Sequence, residues 1–228
     1  MVAEFRYREI DSLRGLAVLL MVMVHAAAIW SPTQSSDTSS LSYIVAGLGG
    51  LAAPLFITIF GWGLIKSRSS NRANIIKAII LLILQILVNL SSPQLYQPFS
   101  PGILSLFALL IILKPLIVKI TTNRTIFLLF WLSILLFYGV NSMLFNIQGE
   151  NNWDFRTNTE NLSTVISHLI LTGTYPVLPW ICYAVVGAFL GSSITEGGKT
   201  LPRNSTTLLI MIGMCYCLFT FIRSNFDG

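Results

Sequence analysis

A helix that crosses a hydrocarbon core about 30 Å thick needs roughly 20 apolar residues, because each residue rises only about 1.5 Å. This chain supplies runs of that kind again and again. They lie at 13–30, 41–65, 75–90, 103–120, 126–147, 176–194 and 208–222, and the fourth is interrupted by Lys114 and Pro115. A Ser/Thr-rich stretch at 31–40 separates the first two. The pattern predicts an all-α polytopic integral membrane bundle of about seven transmembrane helices, read as one domain over 1–228. Only 10% of the residues are charged, against about 25% in a soluble domain, and that disfavours a water-soluble fold.

Charge placement tests this pattern independently, since short cytoplasmic loops are enriched in Lys and Arg. With the N-terminus placed in the cytoplasm, the inner segments hold Arg6, Arg8, Arg14, Lys66, Arg68, Arg72, Lys77, Lys114, Lys119, Arg124, Lys199 and Arg203. Only Arg156 and Arg223 of the fourteen basic residues fall outside, together with Asp37, Glu150, Asp154, Glu160 and Asp227. The expected placement is a multi-pass protein of the plasma membrane with a cytoplasmic N-terminus and an external C-terminus. The formal net charge of +5 is then accounted for by basic loops beside anionic lipid and not by a nucleic-acid surface.

The run at 13–30 is longer than the core of a signal peptide and is read as a retained helix. Cys182, Cys215 and Cys217 lie inside expected spans without metal-ligand spacing, so they read as small apolar packing residues and no metal is expected. The outer segment 148–175 is too short to form a domain. Its part 162–171 is patterned for a short helix lying against the membrane or dipping into it.

Ionisable groups inside a span are costly, and each is a functional-site hypothesis. His25 lies in the first span, eleven residues after Arg14, which is almost three whole turns. The two therefore share a face, about 16 Å apart along the axis. Asp11 and Arg8 extend that polar face toward the cytoplasm. One reading is structural: Arg14 snorkels to headgroups and His25 makes an interhelical hydrogen bond. The other is chemical, with imidazole as general base and guanidinium as holder of an anion such as a phosphate.

The stretch Arg8-Glu-Ile-Asp11-Ser-Leu-Arg14-Gly15-Leu-Ala, continuing to Val24-His25, resembles the first helix of the transmembrane acyltransferase superfamily. That superfamily includes the acyltransferase-3 proteins and the relatives of heparan-alpha-glucosaminide N-acetyltransferase. The Arg, ten intervening residues and His match the acyltransferase-3 signature. The preceding Glu-Ile-Asp-Ser-Leu-Arg-Gly is similar to the glucosaminide acetyltransferase branch. So are Pro54-Leu-Phe56 with Gly61-Trp-Gly63, and Tyr175-Pro176-Val-Leu-Pro179-Trp180 with Gly187 and Gly191. The resemblance implies transfer of an acyl group, usually acetyl, from cytoplasmic acetyl-CoA to a hydroxyl or amine of an extracytoplasmic sugar or glycan. It further implies that His25 is the base or acyl relay and that Arg14 contacts the anionic parts of the CoA. The basic loop Lys66, Arg68, Arg72 and Lys77 is a further place for CoA phosphates, or simply a topological signal.

His168, the other histidine, stands just before the sixth span, at the level where an acceptor arrives, and is either a second catalytic candidate or an interfacial surface residue. Asn89, Gln85 and Asn141 either line an acceptor path or join helices by hydrogen bonds worth about 1 kcal/mol each. Trp180 belongs to a pocket roof or to the aromatic belt at the interface. The expected partners are membrane lipid, acyl-CoA, a sugar acceptor and, in an oligomer, a second copy. Two alternatives of different class stay open: a transporter or channel-like protein for a small anionic or lipidic substrate, and a non-catalytic membrane scaffold.

Overall fold

The computed structural model of the chain describes residues 8–30, 40–144 and 152–193, and among these every regular element is helical. In order they are α1 (Arg8–Trp30), α2 (Ser40–Lys66), α3 (Asn71–Ser91), α4 (Ile103–Ile112), α5 (Lys114–Thr122), α6 (Arg124–Leu144), α7 (Trp153–Thr157), α8 (Leu162–Ser167), a π-helical turn (His168–Thr172) and α9 (Val177–Ser193). Helices answer the demand that lipid makes on the backbone, because each N–H and C=O is satisfied within its own segment.

By length and composition α1, α2 and α3 are each sufficient to cross a membrane, and the number of candidate spans rises to five if two bent pairs each count as one. The fourth expected span is one of those pairs. Pro115 lacks an N–H and its ring crowds a carbonyl of the turn before, which disfavours continuing the helix through it. α4 ends, Leu113 takes φ −77° and ψ 1°, and α5 leaves at 65°. The break is held in place because Lys114 Nζ donates to the Ser67 carbonyl at 2.6 Å. The second pair is α8 with its π turn against α9, bent by 45°. α6 contributes a shorter apolar helix at Arg124–Phe137. The expected seventh span at 208–222 lies outside the described residues.

The core forms where α2 and α9 cross, with α4 and α5 packed against them. Small residues set the distance of that crossing. A Cβ on Gly187 would collide with the Thr58 carbonyl, and one on Gly61 with the Ala184 carbonyl. In a membrane, close backbone approach of this kind is the main source of helix association. Ile57, Leu106, Leu110, Ile117 and Val185 fill the space around the crossing, and Phe60 stacks on Phe107 with ring centroids 4.3 Å apart. α3 packs on α4 and turns Ile75, Ile76, Ile79, Ile80, Ile83 and Leu87 outward. A face so uniformly aliphatic suits lipid and not water.

α1 packs antiparallel on α2, with Val24 against Gly49, and the four-residue connection 67–70 leads from α2 into α3, which packs chiefly on α4. Arg8, Arg14, Lys66, Arg68, Arg72, Lys77, Lys114, Lys119 and Arg124 thereby fall at one end of the bundle, the basic end. The loops 92–102 and 158–161, with α7, occupy the other, the loop end.

Candidate functional site

α1 is unbroken from Arg8 to Trp30, so Arg14 and His25 share a face about 16 Å apart along the axis. Ala17 and Leu20 are buried on its inner side, whereas Arg14, Val18, Val22 and His25 are exposed among the described residues. Arg14 Nη1 donates to Asp11 Oδ1 at 3.1 Å across one turn. Asp11 thus aims the guanidinium, and Ser12 Oγ returns to the Arg8 carbonyl at 3.0 Å to complete the first turn. Arg14 marks the basic end of the stripe and His25 the part nearer the loop end.

The basic end gathers the other cations beside Arg14. Arg68 and Arg72 are exposed in and just after the connection between α2 and α3. Ser69 Oγ donates to Asn74 Oδ1 at 2.6 Å, Ser70 caps α3 by accepting from the Ala73 N–H, and Lys66 lies over the Trp62 ring at 5.6 Å. The backbone of this loop is therefore tied down while long cationic side chains project from it. Such an arrangement suits a flexible polyanion better than a single compact ion.

Polar groups at the loop end form a lattice. Gln85 Nε2 donates to Asn89 Oδ1 at 2.8 Å, and Asn89 Nδ2 donates to the carbonyls of Ser100 at 2.8 Å and Pro98 at 3.1 Å. Gln85 Oε1 accepts from the Leu104 N–H at 3.2 Å, which anchors the start of α4. Ser100 Oγ reaches the Thr157 carbonyl, Gln97 bonds Thr159 and Asn158, and Trp153 Nε1 donates to the Leu95 carbonyl at 3.1 Å. Tyr96 stands edge-on to Trp153, and burial raises its phenol pKa above the ordinary value. The described hydrogen bonds of Gln85 and Asn89 thus go to each other and to backbone groups. Replacing the buried Asn89 by Ala leaves two carbonyls without their donor and should lower stability by about 2 kcal/mol. A thermal melt in detergent should show a clear fall in Tm beside an unchanged Ser91→Ala control on the exposed side of the same helix end.

His168 is buried at this end, at the first position of the π turn. The Gly173 N–H closes the turn on the His168 carbonyl at 3.0 Å, five residues back, a geometry that recurs at functional sites. Nδ1 lies 2.7 Å from Thr172 Oγ1, and the Phe155 ring stands edge-on at 5.4 Å. The carbonyls of Asn158 and Phe155 border the imidazole, yet Nε2 has no partner in hydrogen-bonding geometry. The residue is thus interior and not on the surface. α1 packs chiefly on α2, and the π turn on α7, α8 and α9, so the principal helix contacts do not bring His25 and His168 together.

Trp180 is buried in the core between the rings of Tyr175 at 5.2 Å and Tyr183 at 5.4 Å. Asn141 lies on α6, and its side chain is outside the described residues. Cys182 is buried on α9. Among the described residues no group of three His, Cys, Asp or Glu is placed to hold a metal. Sequence reasoning missed Thr172, Ser100, Thr157 and Gln97. Only the four-residue interval between His168 and Thr172 gave a signal, and it was readable once a helix was assumed there.

A model of the family described as heparan-alpha-glucosaminide N-acetyltransferase, catalytic, matches residues 6–217. No curated protein and no solved structure matches the chain.

Proposed function

The chain belongs to the heparan-alpha-glucosaminide N-acetyltransferase catalytic family, and we propose that it is a membrane acyltransferase that takes acetyl from acetyl-CoA at the basic end. The acceptor is a hydroxyl or amine of a sugar or glycan that arrives at the loop end. The observation that supports this reading is the unbroken α1, which sets Arg14 and His25 on one face inside the family match, a guanidinium suited to an anion and an imidazole suited to a proton. The basic end is read as cytoplasmic by the excess of Lys and Arg there, in the plasma membrane.

Each residue has a role that its chemistry supports. Arg14, aimed by Asp11, pairs with a phosphate of the CoA, and Arg8, Arg68 and Arg72 add cations around the same moiety. The extended donor then reaches along α1 toward His25. The imidazole takes the proton of the acceptor as its oxygen or nitrogen attacks the thioester carbonyl. The C–S bond breaks, the acyl group stays on the acceptor, and the CoA sulfur leaves with the proton returned from His25. A thioester is already activated, so proximity and charge stabilisation supply most of the remaining acceleration.

Acetyl-CoA binding to the full chain in nanodiscs tests the donor half of the proposal. Arg14→Ala should raise the Kd about tenfold, the loss of roughly one charge-assisted hydrogen bond. Unchanged affinity leaves Arg14 a residue of topology only. The bends of 65° and 45° in the two helix pairs favour a second reading, a transporter with broken helices around a substrate. Absence of saturable acetyl-CoA binding favours it or a non-catalytic scaffold over acyl transfer.

A further inference from the structure

α8 and the π turn form one continuous element, Leu162–Thr172, with two unlike faces. Leu162, Ile166 and Ile170 recur every fourth residue and are 74%, 48% and 41% exposed. His168 and Thr172, on the other side, are 2% and 7% exposed and are bonded to each other. A single exposed Leu needs no explanation, but an aliphatic stripe along a whole element marks a contact surface.

Three observations identify what covers the stripe. First, Leu162–Thr172 meets the length and apolarity of a membrane span only together with Val177–Ser192, with the bend between them. Second, α9 falls short of a full crossing among the described residues. Its regular geometry begins after Leu178, at φ −95° and ψ 119°, and the apolar run ends at Ile194, before Thr195-Glu196-Gly197-Gly198-Lys199. Residues 179–193 of the described helix rise about 22 Å, several ångströms less than a core about 30 Å thick. The hydrocarbon level at the loop end therefore reaches past the start of α9 to the π turn. Third, Leu95, Phe99 and Trp153 are exposed at the same end, the kind of apolar and aromatic girdle that marks a membrane interface.

We infer that Leu162, Ile166 and Ile170 are seated among the acyl chains of the loop-end leaflet, so that Leu162–Thr172 is a re-entrant element whose partner is phospholipid. Its polar face, with His168 and Thr172, is turned to protein, about one helix diameter, roughly 10 Å, from the lipid. Burial of the stripe holds the π turn at the level of the interface. This inference rests on the membrane fold and is independent of the acyl-transfer reading.

The test places single cysteines at 162, 166 and 170 in a full chain whose Cys182, Cys215 and Cys217 are replaced by Ala. Each is labelled with bimane and reconstituted in phosphatidylcholine vesicles. Quenching by phosphatidylcholine brominated high on its acyl chains should be at least about twofold stronger at these three positions than at Glu160→Cys, which precedes the helix, as expected for insertion by 5–10 Å. Aqueous iodide should give the reverse order. Iodide quenching of the three without bromolipid quenching overturns the inference, because the stripe then faces water. Protection from both quenchers also overturns it, because protein then covers the stripe, whether a second copy or another part of the chain. Leu162→Cys keeps the test interpretable if the inner positions disturb folding, since most of its surface touches no protein. Monodisperse elution checks each labelled variant.

Discussion

His25→Ala should reduce acyl transfer by about 10²- to 10⁴-fold, the usual worth of a positioned general base, while acetyl-CoA binding stays within about twofold of wild type. The separation follows from the geometry of α1. Arg14 and Asp11 form their ion pair three turns away, at the basic end, so truncating the imidazole removes no contact of the anion-holding part. His25 is exposed among the described residues, and its loss opens no cavity in the core. His25→Gln keeps a hydrogen-bonding group of similar reach without an imidazole's basicity, and should be nearly as inactive as Ala. Single-turnover transfer of labelled acetyl isolates the chemical step from binding and release. Activity within tenfold of wild type in both variants would end the assignment of His25 as base.

Gly187→Leu should be the most damaging substitution for the fold. A Cβ at this position already collides with the Thr58 carbonyl and stands 3.0 Å from the Trp62 amide nitrogen. The obstacle is backbone on α2, so it cannot move aside as a flexible side chain does, and the two helices must separate along their crossing. Separation loses contacts around Ile57, Ala184 and Val185, all fully buried, and overpacking of that kind costs 1–3 kcal/mol or more. The expected result is a loss of monodisperse protein after extraction, or a fall in Tm larger than that of Asn89→Ala. Gly63→Ala is the control, because nothing lies within 4 Å of a Cβ there and Ala favours the helix. Equal tolerance of both changes would contradict the packing described for α2 and α9.

Much of the fold was legible because lipid imposes one long-period rule on sequence. The first three spans follow from unbroken apolar runs, and the gathering of Arg8 to Arg124 at one end follows from the positions of the breaks. The shared face of Arg14 and His25 was also legible, since it depends only on helical periodicity within one element. The 65° bend at Leu113 was half legible: Lys114 and Pro115 announced an interruption, but neither the angle nor the contact of Lys114 with the Ser67 carbonyl, 47 residues away, is written in the local sequence. The loop-end lattice was not legible. Asn89, Ser100 and Thr157 are joined by contacts 11 and 57 residues apart in sequence, and no local pattern encodes such partners. For the same reason His168 was weighed as a surface residue, whereas the π turn and the packing of α7 place it inside.

The most direct measurement of the central claim is transfer of labelled acetyl by the full chain sealed in vesicles, with acetyl-CoA supplied at one face and a set of amino sugars and hydroxylated sugars at the other. The account predicts acetylated sugar only when the basic end faces the acetyl-CoA, and its loss in His25→Ala. Acetylation that is independent of orientation and unaffected by His25→Ala, or saturable acetyl-CoA binding without transfer to any acceptor class, would contradict it.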